Sequence, residues 1–244
     1  MGWVRRAAVL LGLAIAACDG AFDLEHVDYH PPADSGASIQ PVQELLTSRT
    51  GTGGSAPLTY TFGVPATTAG HTLVVIAVIK TSTYPINMIT DDGLNLWTKI
   101  IEGDDPNSND DCHLEIWVSR GVNSATMINL MLDNDRGVGA NFSEWDLPGR
   151  VSANVVGTFA TTTTPAAGPL VVGEPALLLA AVAHRGGVAV VDDAAYTGML
   201  NPQVDDISVS PWYQVVDAST YELKWMFGSA VPSIGAMVAL ATQP

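Results

Sequence analysis

The stretch that decides the fold is Gly70–Lys99, GHTLVVIAVIKTSTYPINMITDDGLNLWTK. Its opening run, Thr72–Ile79, is nearly continuous in Leu, Val, Ile and Ala, which is typical of a strand buried on both faces. The run is short for a helix, and Val and Ile favour a strand because their χ1 angles are stiff. Asp91-Asp92-Gly93 predicts a tight turn between two further strands, Ile86–Ile89 and Leu96–Ile101. This order of strands and turns predicts an antiparallel sheet.

Similar short apolar segments fill the rest of the chain, separated by Gly, Pro, Asn and Asp. The predicted strands are Ile39–Thr47, Leu58–Phe62, Cys112–Ser119, Thr126–Leu132, Val138–Asp146, Val151–Phe159, Leu170–Val172, Ala176–His184, Ile207–Val216, Tyr221–Phe227 and Gly235–Ala241. No segment has the length and period of an amphipathic helix. We therefore predict an all-β fold, a two-sheet antiparallel β-sandwich that is jelly-roll-like, since an immunoglobulin domain would need a Cys, Trp, Cys core. The sequence shows no internal repeat.

The composition is that of a folded, acidic protein. The 244 residues are 47% hydrophobic and 14% charged, which allows a sizeable core. The formal net charge is −15 and the sequence pI is about 4.3. Such a surface repels phosphate backbones, so we predict no nucleic-acid partner.

The first residues have the pattern of an export signal. Arg5-Arg6 precede an apolar run over residues 7–17, which is too short to span a bilayer. The run ends in Ile15-Ala16-Ala17-Cys18, which resembles the lipobox of bacterial lipoproteins. That resemblance implies cleavage before Cys18 and acylation of its thiol. The alternative is ordinary cleavage after Ala16, with Ala14-Ile15-Ala16 as the recognition site.

These features divide the chain into three parts. Residues 1–17 are the predicted signal peptide, residues 18–37 a lipidated Cys with a flexible tether, and residues 38–244 the β-sandwich domain. The tether contains His26 and His30, which a helix would bring together as metal ligands. Pro31-Pro32 follow directly and argue against a helix, which favours a solvated linker.

The domain resembles a widespread type of secreted bacterial β-sandwich domain. The matching segments, in order, are HTLVVIAV, INMITDDGLNLWTKI, CHLEIWVSRGV, NLMLDNDRGVGANFSEWDLPG and EPALLLAAVAHRGG. Members have an aliphatic strand, a V-T-D-x-x-G-N-x-W turn, an x-I-W/Y strand and an E-Y-S-G segment. This chain departs from the pattern with Leu94 and Leu96 around Asn95, and with the residues that follow Glu144. The resemblance implies export and fold, and no common activity.

No catalytic signature is visible, and no catalytic residue is assigned. G-x-S-x-G, H-E-x-x-H, P-loop and C-x-x-C motifs are all absent from the sequence. Glu144 and Asp146 would share a face of one strand, as a glycosidase carboxylate pair could. The alternative interpretation is a solvated strand edge.

Acidic pairs recur in the loops, for example at Asp104-Asp105 and Asp110-Asp111. Carboxylate oxygens suit calcium, but no loop has the EF-hand spacing, and acidic turns are common without an ion. We therefore assign no cofactor and no metal site, with calcium in one of these loops as the alternative.

The strand Cys112–Ser119 carries the candidate ligand site. Alternation places Cys112 and its apolar partners on the core face, and His113, Glu115 and Trp117 on the other face. We predict that the latter three bind a ligand by stacking and hydrogen bonding. If this strand forms a hairpin with Thr126–Leu132, they lie near Asn129, Met131 and Asp133. The alternative is that a loop or the tether covers Trp117. Cys112 is predicted to be a buried thiol outside any disulfide.

The sequence thus predicts a lipid-anchored, non-catalytic β-sandwich of the bacterial cell envelope. It would be held to the membrane by its lipid and would bind a polysaccharide or an envelope protein. One alternative is an envelope carbohydrate-active hydrolase using Glu144 or Glu115 as its carboxylate. The other is a purely structural surface lipoprotein.

Overall fold

The computed structural model describes residues 39–52, 54–80, 85–104, 112–147, 150–191 and 193–241, and all regular elements among them are β-strands. The predicted all-β class is confirmed. The predictions for the signal peptide, for the tether with Cys18 and for loop residues 105–111 lie outside these described ranges. The described ranges contain no apolar helix of membrane-spanning length.

The strands fall into two successive groups along the chain. The first group is β1 (Pro41–Arg49), β2 (Leu58–Gly63), β3 (Thr72–Ile79), β4 (Ile86–Asp91), β5 (Trp97–Gly103), β6 (His113–Ser119), β7 (Met127–Leu132) and β8 (Val138–Trp145). The second group is β9 (Arg150–Val156), β10 (Ala160–Thr162), β11 (Ala166–Val172), β12 (Ala176–Arg185), β13 (Val190–Val191), β14 (Thr197–Gly198), β15 (Gln203–Val204), β16 (Ile207–Val216), β17 (Ser219–Met226) and β18 (Val231–Ala241).

Among the described residues, the strands form four antiparallel sheets. The first group makes a five-stranded sheet, β1-β8-β3-β6-β5, and a three-stranded sheet, β2-β7-β4. The second group makes a seven-stranded sheet with the strand order β10-β18-β12-β16-β14, in which β9 also pairs with β18 and β15 also pairs with β16. It also makes a three-stranded sheet, β11-β17-β13. The prediction of two sheets is therefore wrong, because each half of the chain builds its own pair.

The four sheets pack as successive layers around three hydrophobic clusters. One cluster lies between β2-β7-β4 and the five-stranded sheet, and a second lies between the five- and seven-stranded sheets. The third lies between the seven-stranded sheet and β11-β17-β13. The two large sheets are thus inner layers. This explains why every residue of β3 is buried, as its aliphatic sequence predicted.

The two halves repeat one strand order that is not evident in the sequence. When β9 with β10 and β14 with β15 are each counted as one strand, both halves have the order 1-8-3-6-5 in the large sheet and 2-7-4 in the small one. The central strands β3 and β12 are equivalent, and each follows a glycine, in GHTLVVIAVI and GEPALLLAAV. Val74 and Ile76 enter the cluster shared by the halves in the same phase as Leu177 and Leu179.

Cys112 confirms its predicted position. It is buried and belongs to the cluster that also contains Leu114 and Ile116 from the next strand, β6. No disulfide involves it among the described residues.

Candidate functional site

The centre of the candidate site is the carboxylate of Glu115, which is fully buried on β6. Its Oε1 lies 2.9 Å from His113 Nε2 and 3.0 Å from Lys99 Nζ, and it accepts a 3.0 Å hydrogen bond from the backbone N–H of Ile86. Its Oε2 accepts a 2.6 Å hydrogen bond from Trp117 Nε1. Four donors therefore surround the buried carboxylate, as a charge removed from water requires.

Lys99 connects this buried centre to the surface. Its ammonium bonds Glu115 and also lies 2.9 Å from Glu102 Oε2. The same ammonium is 5.2 Å from the centroid of the Trp117 ring. Lys99 lies on β5, directly opposite Trp117 in the register of β5 and β6. The cation therefore stacks on the indole and neutralises part of the negative charge.

The imidazole of His113 lies between carboxylates. Its Nε2 is 3.9 Å from Glu102 Oε1, and its Nδ1 is 3.5 Å from Asp104 Oδ1. Burial alone would lower the pKa of His113, because it disfavours the charged imidazole. The hydrogen bond and negative charge of Glu115, with the neighbouring carboxylates, outweigh burial and raise the pKa of His113 above its ordinary value.

The structure brings His113, Glu115 and Trp117 together, but not on an exposed face. All three are buried, with Trp117 in the cluster that joins the five-stranded sheet to β2-β7-β4. Among the described strands, β6 and β7 do not form a hairpin, because β6 pairs with β3 and β5 while β7 pairs with β2 and β4. The second face of β6 is covered by another sheet, so the three residues do not form the solvent-facing surface that alternation suggested.

A second buried carboxylate, Glu144, is held at the other end of the same sheet. Its Oε1 accepts a 2.7 Å bond from the backbone N–H of Thr68 and lies 2.7 Å from His71 Nδ1, while Oε2 accepts from Gln43 Nε2. Asp146 lies beyond the end of β8 and is exposed, 3.5 Å from His71 Nε2. Glu144 and Asp146 thus flank one imidazole and do not form the solvated strand edge that the sequence suggested.

The exposed feature beside these clusters is the loop between β4 and β5. Leu94 and Leu96 are 86% and 88% exposed, the largest exposures among the large apolar side chains of the described residues. The carboxylate of Asp91 holds the loop, because it accepts from the backbone N–H of Asn95 and from Trp97 Nε1. The two leucines are therefore exposed on a turn that hydrogen bonds to Asp91 stabilise.

The loop between β6 and β7 further stabilises this turn through hydrogen bonds of Asn123. Asn95 Nδ2 donates to the carbonyl of Asn123, and the backbone N–H of Asn123 donates to Asn95 Oδ1 at 2.6 Å. Asn123 Nδ2 in turn donates to the carbonyl of Gly93. These reciprocal amide bonds fix the turn from the side.

An open groove of about 680 Å³ adjoins the leucine loop. Half of its eight lining residues are aliphatic, and two glycines, a threonine and an arginine complete the walls. The lining residues are Gly70, Leu96, Thr98, Ile100, Val118, Arg120, Gly121 and Val151. Sequence reasoning did not select this surface. The signal was present, because Leu94 and Leu96 are the positions at which the turn departs from the pattern that it resembles.

Comparison of the chain with protein-family models, with curated proteins and with solved structures gives no match.

Proposed function

We propose that this chain is an exported, lipid-anchored, non-catalytic β-sandwich protein of the bacterial cell envelope that binds another protein through the Leu94–Leu96 loop and its groove. Export and the lipid at Cys18 rest on the sequence pattern of residues 1–18. We also infer that each half of the chain is jelly-roll-like. The order 1-8-3-6 in one sheet and 2-7-4 in the other supports this, with the fifth strand paired beside the sixth.

The observation that carries the proposal is the backbone of Leu94, whose φ is +58°. A left-handed conformation costs an L-residue about 1–2 kcal/mol, and glycine would avoid that cost. Burial of the Leu94 side chain does not offset this cost, because the side chain is almost fully exposed. Strain that is retained without a benefit to folding is typical of a functional surface.

The chemistry of the surface favours a protein over a glycan. Sugar rings are commonly held on exposed aromatic faces. Among the described residues, the exposed large apolar side chains are all Val, Leu or Met. Aliphatic walls with Arg120 at the groove suit an apolar segment of a partner protein that carries a carboxylate.

The carboxylates that the hydrolase alternative needs are already engaged. Both oxygens of Glu115 and both oxygens of Glu144 accept bonds from groups of the fold. A general acid or base must reach the proton that it transfers. The buried bonding of these two carboxylates therefore supports binding over glycoside hydrolysis.

Site-specific photo-crosslinking tests the proposal. A photoreactive amino acid at position 94, in cells that export the full chain, should give one discrete adduct with another protein. The same amino acid at position 188, where valine is also exposed, should not give that adduct. Leu96→Asp should reduce the adduct at position 94 at least tenfold, because it places a charge at the groove.

Four outcomes would overturn the proposal. Equal adducts from positions 94 and 188 would mean nonspecific contact, and no adduct would favour the structural alternative. Retention on a polysaccharide that Leu96→Asp abolishes would make the ligand a glycan. Polysaccharide turnover that Glu144→Gln abolishes would establish the hydrolase.

A further inference from the structure

We propose that Glu102, His113 and Glu115 form a binding site for a divalent transition-metal ion, with zinc as the best fit. One ligand atom from each residue can be chosen so that all three lie within 4.8 Å of one another. His113 Nε2 is 2.9 Å from Glu115 Oε1 and 3.9 Å from Glu102 Oε1. A tetrahedral zinc ion binds its ligand atoms at about 2.0–2.1 Å, which separates those atoms from one another by roughly 3.3 Å. That separation lies between the two distances measured from His113 Nε2.

The surroundings of the three ligands also suit a metal. A metal-bound histidine commonly directs its other ring nitrogen at a carboxylate, which orients the ring. Among the described residues, Nδ1 of His113 is buried without a hydrogen-bond partner, and Asp104 Oδ1 lies 3.5 Å away. Trp117 Nε1 donates to Oε2 of Glu115, while Oε1 faces His113 and also accepts from the backbone N–H of Ile86 and from Lys99. Trp117 thus orients Glu115, and Asp104 lies beside the second ring nitrogen of His113.

Lys99 occupies the position of the cation in this structure. Its ammonium is within 3.0 Å of both Glu102 and Glu115, where a metal ion would bind. The side chain of Lys99 is 21% exposed on a flexible stem, so it can turn outward when the ion enters. Glu102 and Asp104 are about half exposed and give the ion a path from solvent.

The ligand set selects the metal. Calcium prefers six to eight oxygen ligands, whereas one imidazole with two carboxylates, and a water in the fourth position, matches zinc. This site also differs from the calcium that the acidic loops suggested, because its central ligands lie on β5 and β6. It is independent of the Leu94–Leu96 loop, so either proposal can fail without the other.

Zinc titration of the purified full chain, followed by calorimetry, tests the site. The wild type should bind one equivalent, and cobalt should give the absorption of a nitrogen and oxygen site without a thiolate band. Glu102→Gln and His113→Gln should each weaken zinc binding at least tenfold. Lys99→Met should strengthen it at least tenfold, because the competing ammonium is removed.

Two controls separate this site from others. His71→Gln changes the other histidine–carboxylate group and should leave the affinity unchanged, and Cys112→Ala should do the same. Glu102 is half exposed, so Glu102→Gln should keep the fold, which a thermal melt in EDTA checks. Wild-type affinity in Glu102→Gln, loss of binding in His71→Gln, or no binding by the wild type at millimolar zinc would overturn the proposal.

Discussion

The indole Nε1 of Trp117 donates a 2.6 Å hydrogen bond to Oε2 of Glu115, two residues earlier on the same strand. Residues two apart point to the same face of a strand, so the indole N–H and the carboxylate can hydrogen-bond to each other under the sheet β2-β7-β4. This is why a strand with alternating polar residues can be buried along its whole length. The bond also implies that Trp117 contributes mainly to stability.

Trp117→Phe should lower the free energy of unfolding by about 1–3 kcal/mol more than Trp97→Phe, because Trp117 and its acceptor Glu115 are both buried, whereas Trp97 is only half-buried. Trp97 is a matched control, since its Nε1 donates to Asp91 Oδ2 at 2.7 Å in a partly exposed position. Urea unfolding of both variants measures the difference. Equal losses would show that the Glu115 bond contributes no more than the Asp91 bond.

Leu94→Gly should raise the free energy of unfolding by about 0.5–1 kcal/mol, because glycine adopts positive φ without the steric cost of Cβ. Leu96→Gly is the control. Leu96 is equally exposed without that backbone strain, so its replacement should be destabilising. Thermal unfolding of the two variants should therefore shift in opposite directions, and a destabilised Leu94→Gly would remove the strain argument for the loop.

Gly235→Ala should destabilise the protein by about 1–3 kcal/mol or more through overpacking. A Cβ at this position would lie 2.3 Å from Cζ3 of Trp225, which is fully buried. Gly228→Ala is the control, since its Cβ would meet no atom of the described residues within 4 Å, and stability should be unchanged or slightly higher. Similar chemical denaturation midpoints for the two variants would contradict the close packing of β17 on β18.

His184 should make the protein less stable in acid. Burial lowers the pKa of His184, and its hydrogen bond with the carbonyl of Gly186 opposes this only in part. The unfolded chain therefore takes up a proton at about pH 6.5, before the folded protein does. This contribution to stability is complete above that pH and is lost as the pH falls through the lowered pKa of the folded state.

His184→Asn tests this assignment. The variant should show a shallower decline in the free energy of unfolding between pH 7.5 and pH 5, measured by urea titration at each pH. The comparison uses the slope, so a general loss of stability in the variant does not affect it. A slope equal to that of the wild type would assign the acid sensitivity to other groups.

Cys18 should carry the lipid. Expressed in a bacterial host, the full chain should incorporate labelled palmitate and partition into detergent, and Cys18→Ser should abolish both. A soluble mature chain that begins at Ala17 would instead establish ordinary signal cleavage after Ala16.

Much of the fold could be predicted from local sequence, because strand formation is a local property. The aliphatic run Thr72–Ile79 predicted a strand buried on both faces, and all of its residues are buried. Alternation also placed Cys112 with Leu114 and Ile116 in one cluster. Neither inference needed to know which strand lies next to which.

The sheet count and the repeat could not be predicted in this way. The equivalent strands β6 and β16 each contain a tryptophan, Trp117 and Trp212, but their sequences have little else in common. In each half, the same face of the large sheet is buried against the small sheet. Many different apolar sequences can fill such a face equally well. The repeated strand order therefore emerges only from the pairing of distant strands.

The sequence by itself determined where the strands lie, which residues share a face and which cysteine is buried, because alternation and β-propensity act over a few residues. Only the tertiary structure decided that the second face of β6 is covered, and with it the burial of Glu115 and Trp117. A polar face is compatible with solvent or with an internal hydrogen-bond network. The choice depends on partners such as Ile86 and Lys99, which other strands bring to Glu115 from distant positions in the chain.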